Sequence, residues 1–479
     1  MIYAVYGVLA VILILIAVLI IRAMNFKAEE VGEIQKVNVD FDGERAVKNL
    51  STLVKIPTVS VLDAENGDYS QHEKFIKTLV GMYPQIVEKS EFTRVANYGL
   101  MFKIAGKSSE NPSVLMSHYD VVPVVGQAWS FEPFCGEIKD GYVHGRGTLD
   151  TKGTLVCTCE SVETLLEGGF VPANDLYLCF GGDEEIGGEI CKKVVAHLKE
   201  KGVKPALVFD EGGAIVENIF PGVSKQCAVV GISEKGMCDI SLSVKASGGH
   251  ASSPDASNPV NVLANAICKI QNNQMKADII PAVSEMLNAL GRHSSFVYKI
   301  IFSNMWLFKP LVTKIFVAGG GETSALCKTT FAFTTIEGSK ANNVLPTTAK
   351  MNINVRVLNN ITVADMVAHI KKVVADERVE IEVVMKNEPS PVASVKSEGY
   401  LKVKRAMNAC FPEVVVSPYV MIAASDSRHY AEISDCALKF APFRLSKADR
   451  GSIHSYDEKI STKNIVDGVE FYINLVSQL

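Results

Sequence analysis

The chain opens with twenty consecutive residues that carry no charge, Ile2 to Ile21 (IYAVYGVLAVILILIAVLII). No polar face interrupts this run, so it does not read as an amphipathic helix packed on a folded body. At about 1.5 Å rise per residue it spans roughly 30 Å, the thickness of a hydrocarbon core. A cleaved signal peptide is the competing reading. The run exceeds the about 7–15 apolar residues usual for such a segment, no basic stretch precedes it, and no small-residue cleavage site follows. The pattern therefore predicts a single-pass membrane anchor over residues 1–23.

Residues 24–45 form a polar, acid-rich connector. Beyond it the period alternates between 2 and 3.6. Short apolar runs at Ser113–Met116, Leu176–Phe180 and Ala206–Phe209 read as strands, and Leu155–Leu166 and Ile190–Lys199 as helices. This alternation predicts an α/β body, occupying 46–236 and resuming over 389–479. Each strand candidate ends at a cluster of polar residues, where open α/β sheets place their ligands.

Between these two pieces the order changes. Cys238–Lys245 reads as a strand, Pro259–Gln271 as a helix, Thr329–Ile336 and Lys350–Leu358 as strands, Val363–Val374 as a helix and Val379–Met385 as a strand. That β-α-β-β-α-β order predicts a ferredoxin-like α+β layer inserted over 237–388. Its link at 277–325 is long, apolar and carries Trp306, as lids and contact surfaces do.

Composition adds little beyond this. Hydrophobic residues make up 48% and charged residues 21% of 479, enough for a large core and against disorder. A net charge of −5 gives no global field that would draw the chain to nucleic acid. Mean hydropathy of +0.17 is high, and the N-terminal run accounts for part of it. Arg22 and Lys27 follow that run, partly offset by Glu29 and Glu30, so the positive-inside rule favours a cytoplasmic body. The eleven cysteines lack framework spacing and read as buried thiols of a reducing compartment, with Cys157 and Cys159 spaced to share one face of a strand.

The chemistry sits in separated clusters: S-H-Y-D-V-V-P at 117–123, G-R-G-T-L-D-T-K-G at 145–153, G-G-D-E-E-I-G-G at 181–188, F-D-E-G-G at 209–213 and G-S-I-H-S-Y-D-E at 451–458. Singly, each has a plain structural reading as a turn or a solvated face. Together they put carboxylates and imidazoles at the ends of successive apolar strands. Converging carboxylates repel one another unless a cation neutralises them. Imidazole and carboxylate suit zinc, and one carboxylate can bridge two ions about 3.5–4 Å apart. A serine hydrolase or nucleotide-dependent enzyme finds no support, since neither G-x-S-x-G nor G-x-x-x-x-G-K-[ST] occurs.

As a set, these motifs resemble the co-catalytic zinc metallopeptidases that include carboxypeptidase S, aminoacylase, glutamate carboxypeptidase and succinyl-diaminopimelate desuccinylase. The resemblance runs from about residue 45 to the end. It is strongest to the branch of carboxypeptidase S and the N-acyl amino acid hydrolases, through S-N-M-W-L-F-K-P-L-V at 303–312. It implies a zinc-exopeptidase-like catalytic domain with an inserted lid and dimerisation layer, and two Zn2+ ions, with Co2+ or Mn2+ as substitutes. His118, Asp150, Glu185 and His454 would bind metal, with Asp150 bridging. Asp120 would orient His118, and Glu184 would be the general base. In F-D-E-G-G either Asp210 or Glu211 reaches metal, and the resemblance favours Glu211. His250, in S-G-G-H-A-S-S-P, would polarise the scissile carbonyl and in dimeric relatives reaches the partner's site. Asn343 would contact the substrate backbone. Arg356 would clamp a terminal carboxylate, or else form an ordinary strand salt bridge. S-D-S-R at 425–428 matches the family without an assigned role. His72, His144, His197, His293, His369 and His429 read as structural or surface residues. The implied reaction is release of a C-terminal amino acid from a small peptide, or hydrolysis of an N-acyl amino acid. A metal-free binding or scaffold protein on the same fold is a further alternative, which would have lost the ligands that stand here. Carboxypeptidase S itself is made with a membrane anchor.

Overall fold

The computed structural model describes residues 2–28, 34–61, 69–217, 220, 222–254 and 256–479. Glu29 and Glu30, used in the charge argument, lie outside the described residues. The N-terminal run is one helix, Ile2–Asn25, ending two residues past the expected anchor, with mean hydropathy 3.2 and almost every side chain exposed. Among the described residues it is the one continuous helix long and apolar enough to cross a membrane.

The connector is less free than its polarity suggests. Val37, Val39 and Phe41 alternate along it and pack against the main core, the Val37 N–H donates to Asn474 Oδ1 at 2.8 Å, and Lys36 pairs with Glu470. Asp42 then caps the helix Gly43–Val54 by accepting from the Arg45 N–H. The period-2 apolar signal inside a charged stretch was the trace of this docking.

The main sheet runs in the order Ser90–Val95, Gly99–Ile104, Asn174–Gly181, Ser108–His118, Leu207–Asp210, Ala437–Lys439, Cys227–Glu234, Val415–Met421. Its middle strands are parallel, with His118 opposite Gly181 and Leu115 opposite Phe209. From Ser108–His118 the chain crosses first to one neighbour and later to the other. That strand is therefore the switch point, and its C-terminal end opens a crevice. The crossover helix Lys152–Glu167 is buried along nearly its whole length, so Cys157 and Cys159 lie on a helix rather than a strand, and both are buried. All eleven cysteines are unpaired.

The second sheet is ordered Thr330–Glu337, Thr348–Val357, Gly236–Lys245, Glu380–Asn387, all antiparallel. In chain order this is 2-3-1-4, the ferredoxin-like arrangement. The helices Pro259–Asn272 and Val363–Val374 share its separate core of Ile240, Leu242, Ile353, Met366 and Ile370.

The segment 277–325 is not a loop. It forms the helices Pro281–Gly291, Phe296–Phe302, Met305–Gly319 and Gly321–Ala325. Its inward residues, including Val283, Leu287, Leu290, Val312 and Phe316, join the core of the larger sheet and not that of the smaller one. Apolar side chains without a clear period had hidden these helices, because their outward faces are apolar too.

Candidate metal centre

Three strands deliver the site. Ser108–His118 ends in His118, Asn174–Gly181 leads into the turn holding Glu184 and Glu185, and Leu207–Asp210 ends beside Glu211. The turn after Gly181 depends on a glycine. Gly188 has φ +68°, and a Cβ there would lie 1.8 Å from Asp426 Oδ1, so no larger residue fits.

Asp150 is the hub. Its Oδ1 lies 2.9 Å from His118 Nε2 and its Oδ2 lies 3.0 Å from His454 Nε2. Each carboxylate oxygen thus faces a different imidazole. Glu185 lies 3.1 Å from the same His454 nitrogen, and Glu211 Oε1 lies 3.7 Å from His118 Nε2. His454 itself sits in the left-handed region at φ +59°, a backbone state that few histidines adopt and that functional sites tolerate.

Asp120 is fully buried and stands behind His118. Its backbone carbonyl lies 3.0 Å from His118 Nδ1, and its carboxylate accepts from Ser60 Oγ and from the Glu184 and Glu185 N–H groups. One residue therefore fixes the imidazole through its carbonyl and the turn carrying the two glutamates through its carboxylate. Asp210 points elsewhere: its carboxylate accepts from the Glu211 and Ser427 N–H groups. Of the two F-D-E-G-G candidates, Glu211 is the one beside the histidine.

Crowding shows in the acidities. Burial would raise Asp150, but hydrogen bonds from His118 and His454 outweigh it and hold its carboxyl well below the usual range. Burial, reinforced by Asp150, pushes Glu211 well up. Glu184 is likewise pushed well up by burial, with Asp426 and Glu185 adding to it against His118. The bonds to Asp150 and then Glu185 raise His454 to about 10. These shifts describe acidic groups that would lose protons to a positive charge placed among them.

The donor set fits such a charge. Ligand atoms of His118, Asp150 and Glu185 all lie within 4.8 Å of one another. Ligands about 2.0–2.1 Å from a tetrahedral ion stand roughly 3.3 Å apart, and the observed spacings bracket that value. A cavity of about 330 Å³ opens over the cluster. Asp150, Glu184, Glu185, Glu211 and His454 line it, together with an apolar set that includes Met421, Phe443, Leu445 and Ile453.

The other expected residues fall outside this cluster. His250 and Val344 pair across a short ladder, and the Ala251 N–H donates to the Asn343 carbonyl, so His250 and Asn343 are neighbours. Both are exposed, and among the described residues neither contacts the cluster. Arg356 lies on the strand Thr348–Val357 and, among the described residues, has no carboxylate within salt-bridge distance. The remaining histidines stay out of the cluster; His72, for one, is buried among the rings of Tyr69, Tyr98 and Tyr119.

Two supporting groups were missed, one of them inside a quoted motif and one outside all of them. Glu458, the last residue of G-S-I-H-S-Y-D-E, is fully buried. Its Oε1 accepts from the Gly147, Leu149 and Asp150 N–H groups, while its Oε2 pairs with buried Arg146 at 2.6 Å. Glu234 does the same for the 425–428 segment, accepting from Ser425 and Ser427, with Lys439 3.4 Å away. That segment sets the Arg428 guanidinium 3.9 Å from Glu184. For Glu458 the signal was present as a charged residue closing a quoted motif, but its distant partners were not; Glu234 lay outside every quoted motif.

Fold and site together define a metal-dependent hydrolase of mixed α/β architecture. The chain belongs to peptidase family M20/M25/M40, whose model matches residues 114–478. It is 35% identical over 438 residues to the probable carboxypeptidase S-like 2 of Dictyostelium discoideum, covering 88% of this chain and 83% of that one. It is 32% identical over 481 residues to the N-fatty-acyl-amino acid synthase/hydrolase PM20D1.1 of Danio rerio, covering 97% and 93%. Among solved structures, the M20 metallo-carboxypeptidase Sso-CP2 of Sulfolobus solfataricus superposes with TM-score 0.70 at 18% identity, over 90% of this chain and 98% of the other.

The Glu458 arrangement makes a testable claim. Glu458→Ala leaves the Arg146 guanidinium buried without its carboxylate, which costs about 3–5 kcal/mol. It should lower the denaturation midpoint and metal content together, whereas Glu458→Gln keeps an acceptor for the 147–150 N–H groups and should retain more of both. An Ala variant as stable as the parent would refute this role.

Proposed function

We propose that this protein is a di-zinc hydrolase that cuts an amide bond next to a free C-terminal amino acid, as a carboxypeptidase of small peptides. The observation that carries it is Asp150, whose two oxygens face two histidines, each next to a further carboxylate. In this reading His118 and Glu211 hold one ion, His454 and Glu185 the other, and Asp150 both. Bound zinc supplies Lewis acidity and lowers the pKa of a water to near neutrality.

The chain's own residues do the rest. Glu184 borders the cavity, and its raised pKa suits a group that takes a proton from water and delivers it to the leaving amine. Arg428, near Glu184, steadies that carboxylate in its charged form. Asp120 keeps His118 and the glutamate turn in place. The apolar wall excludes water from the acyl side of the substrate. His250 and Asn343, exposed and apart from their own chain's cluster, are assigned to the site of a second copy, with pairing through the inserted layer. Arg356, without a carboxylate partner among the described residues, is assigned to the substrate's terminal carboxylate.

A second reading is hydrolysis of an N-acyl amino acid. The apolar wall favours it, because a fatty acyl group needs such a surface and a polar dipeptide does not. The helix Ile2–Asn25 serves as a membrane anchor in both, with the body assigned to the cytoplasmic side.

Glu184→Gln should lower kcat by at least about 100-fold, the scale of general-base catalysis, while bound zinc stays at the parent's level. Loss of zinc as well would show that Glu184 is a ligand. Mixing Glu184→Gln with His250→Ala chains should restore activity that neither has alone. Continued inactivity in a demonstrated mixed dimer would remove His250 from the second copy's site. Comparing Gly-Leu with N-acyl-leucine as substrates separates the two readings, since turnover of the acyl substrate alone would end the peptidase assignment.

A further inference from the structure

The helices of 296–319 present an apolar surface that none of the described residues covers. On Met305–Gly319, Phe308, Val312 and Phe316 face the core, while Leu307, Leu311 and Ile315 form a parallel stripe at i, i+4 and i+8 that faces outward. Trp306 is 60% exposed, and Phe296 and Val297 extend the patch. A surface helix ordinarily turns polar residues outward, so an outward apolar stripe marks contact with protein or lipid. Between the flanking Glu285 and Glu322 the charged residues are Arg292, Lys299, Lys309 and Lys314, of which Lys309 pairs with Asp278 at 2.7 Å.

The patch is continuous with the N-terminal helix. Asn304 Nδ2 donates to the Leu19 carbonyl at 3.2 Å, and the Arg22 guanidinium donates to the Ser303 carbonyl at 3.0 and 3.1 Å. Arg292 donates to the Lys27 carbonyl and stacks on Phe26. These contacts fix the elbow at Ser303–Asn304, where the two helices turn by 106°, beside the last turn of the apolar run. At about 1.5 Å per residue, Leu19 lies roughly 3 Å from the end of the run at Ile21, close to the bilayer boundary.

We propose that the outward face of Met305–Gly319, with Trp306, lies in the acyl-headgroup boundary of the leaflet from which the N-terminal helix emerges. The occupant is a bilayer containing anionic lipid. Aromatic and leucine side chains on one face with lysines beside them are the composition of a helix lying in that plane. The far end of the segment is tied to the site: Lys235, next to cavity-lining Glu234, donates to the Ala325 and Lys328 carbonyls. The segment that begins at the anchor contact is therefore tied, past Met305–Gly319, to the residue next to cavity-lining Glu234, so seating this face on a bilayer would hold the catalytic domain close to a lipid-dissolved acyl substrate. This rests on the anchor reading of Ile2–Asn25.

The test uses the full chain in vesicles of phosphatidylcholine and phosphatidylserine, with Trp306 emission taken as the difference between the parent and Trp306→Phe. Acyl-brominated lipid should quench this component several-fold more than acrylamide does. Quenching by acrylamide instead would place the helix in water, and quenching by neither would place it against protein; both overturn the proposal. Flotation separates this from the anchor: chains that float while Trp306 escapes bromolipid keep the anchor and lose this surface, and chains that do not float lose both. Replacing Leu307, Leu311 and Ile315 with Ser should leave the parent's turnover of a water-soluble dipeptide or short N-acyl amino acid unchanged. It should lower turnover of a vesicle-borne N-fatty-acyl amino acid at least about 5-fold, and an equal effect on both substrates would count against the proposal.

Discussion

Asp120, Asp150, Glu184, Glu185 and Glu211 are gathered around two imidazoles in a space where carboxylates alone would repel. Holding them together is the constraint on which the rest of the larger domain depends. A flexible arrangement would relieve the repulsion by spreading. This one cannot spread, because Asp120 grips the glutamate turn through two N–H groups and Glu458 grips the Asp150 loop through three. Both gripping carboxylates are themselves fully buried. Their desolvation is offset by several charge-assisted hydrogen bonds each, and for Glu458 by the Arg146 pair. The fold thus spends buried charge to keep more charge in register, which is sensible only where a cation completes the balance.

That logic explains why the glycines recur where they do. Loops that approach one another as closely as 181–188 and 425–428 leave no room for side chains, and Asp426 fills the space a Cβ at Gly188 would need. Asp426, pushed up to about 8 by burial despite Arg428 and with Asp210 nearby, is another buried carboxyl of the same region. The 425–428 segment, which had no assignable role from its letters, emerges as the wall that carries Arg428 to Glu184.

Legibility in the sequence followed the range of the interaction. Strands ending in His118, Gly181 and Asp210 were readable because apolar runs and their polar termini are local, and the β-α-β-β-α-β order carried the ferredoxin-like register with it. The motif residues could be paired with roles through resemblance, and the geometry brings seven of them, His118, Asp120, Asp150, Glu184, Glu185, Glu211 and His454, into one cluster. What stayed hidden was long-range. Glu458 sits 308 residues from the Asp150 N–H it holds, and no spacing rule reaches that far. The helices of 277–325 were hidden for the opposite reason, since a segment apolar on both faces has no period to detect.

The same apolarity joins the two ends of the molecule into one argument. Leaving Leu307, Leu311 and Ile315 about half exposed in water gains nothing, and each forgoes roughly 1 kcal/mol of burial. The inward stripe of the same helix shows that the sequence can bury such residues where the fold needs them. The outward stripe begins at the elbow bonded to Leu19 and Arg22, and its segment ends at the carbonyls held by Lys235 beside the cavity. An exposed stripe at one end only would be a local accident of packing. A stripe that starts where its segment is bonded to the N-terminal helix continues the exposed apolar surface of that helix onto the body of the protein, which one shared apolar environment would cover.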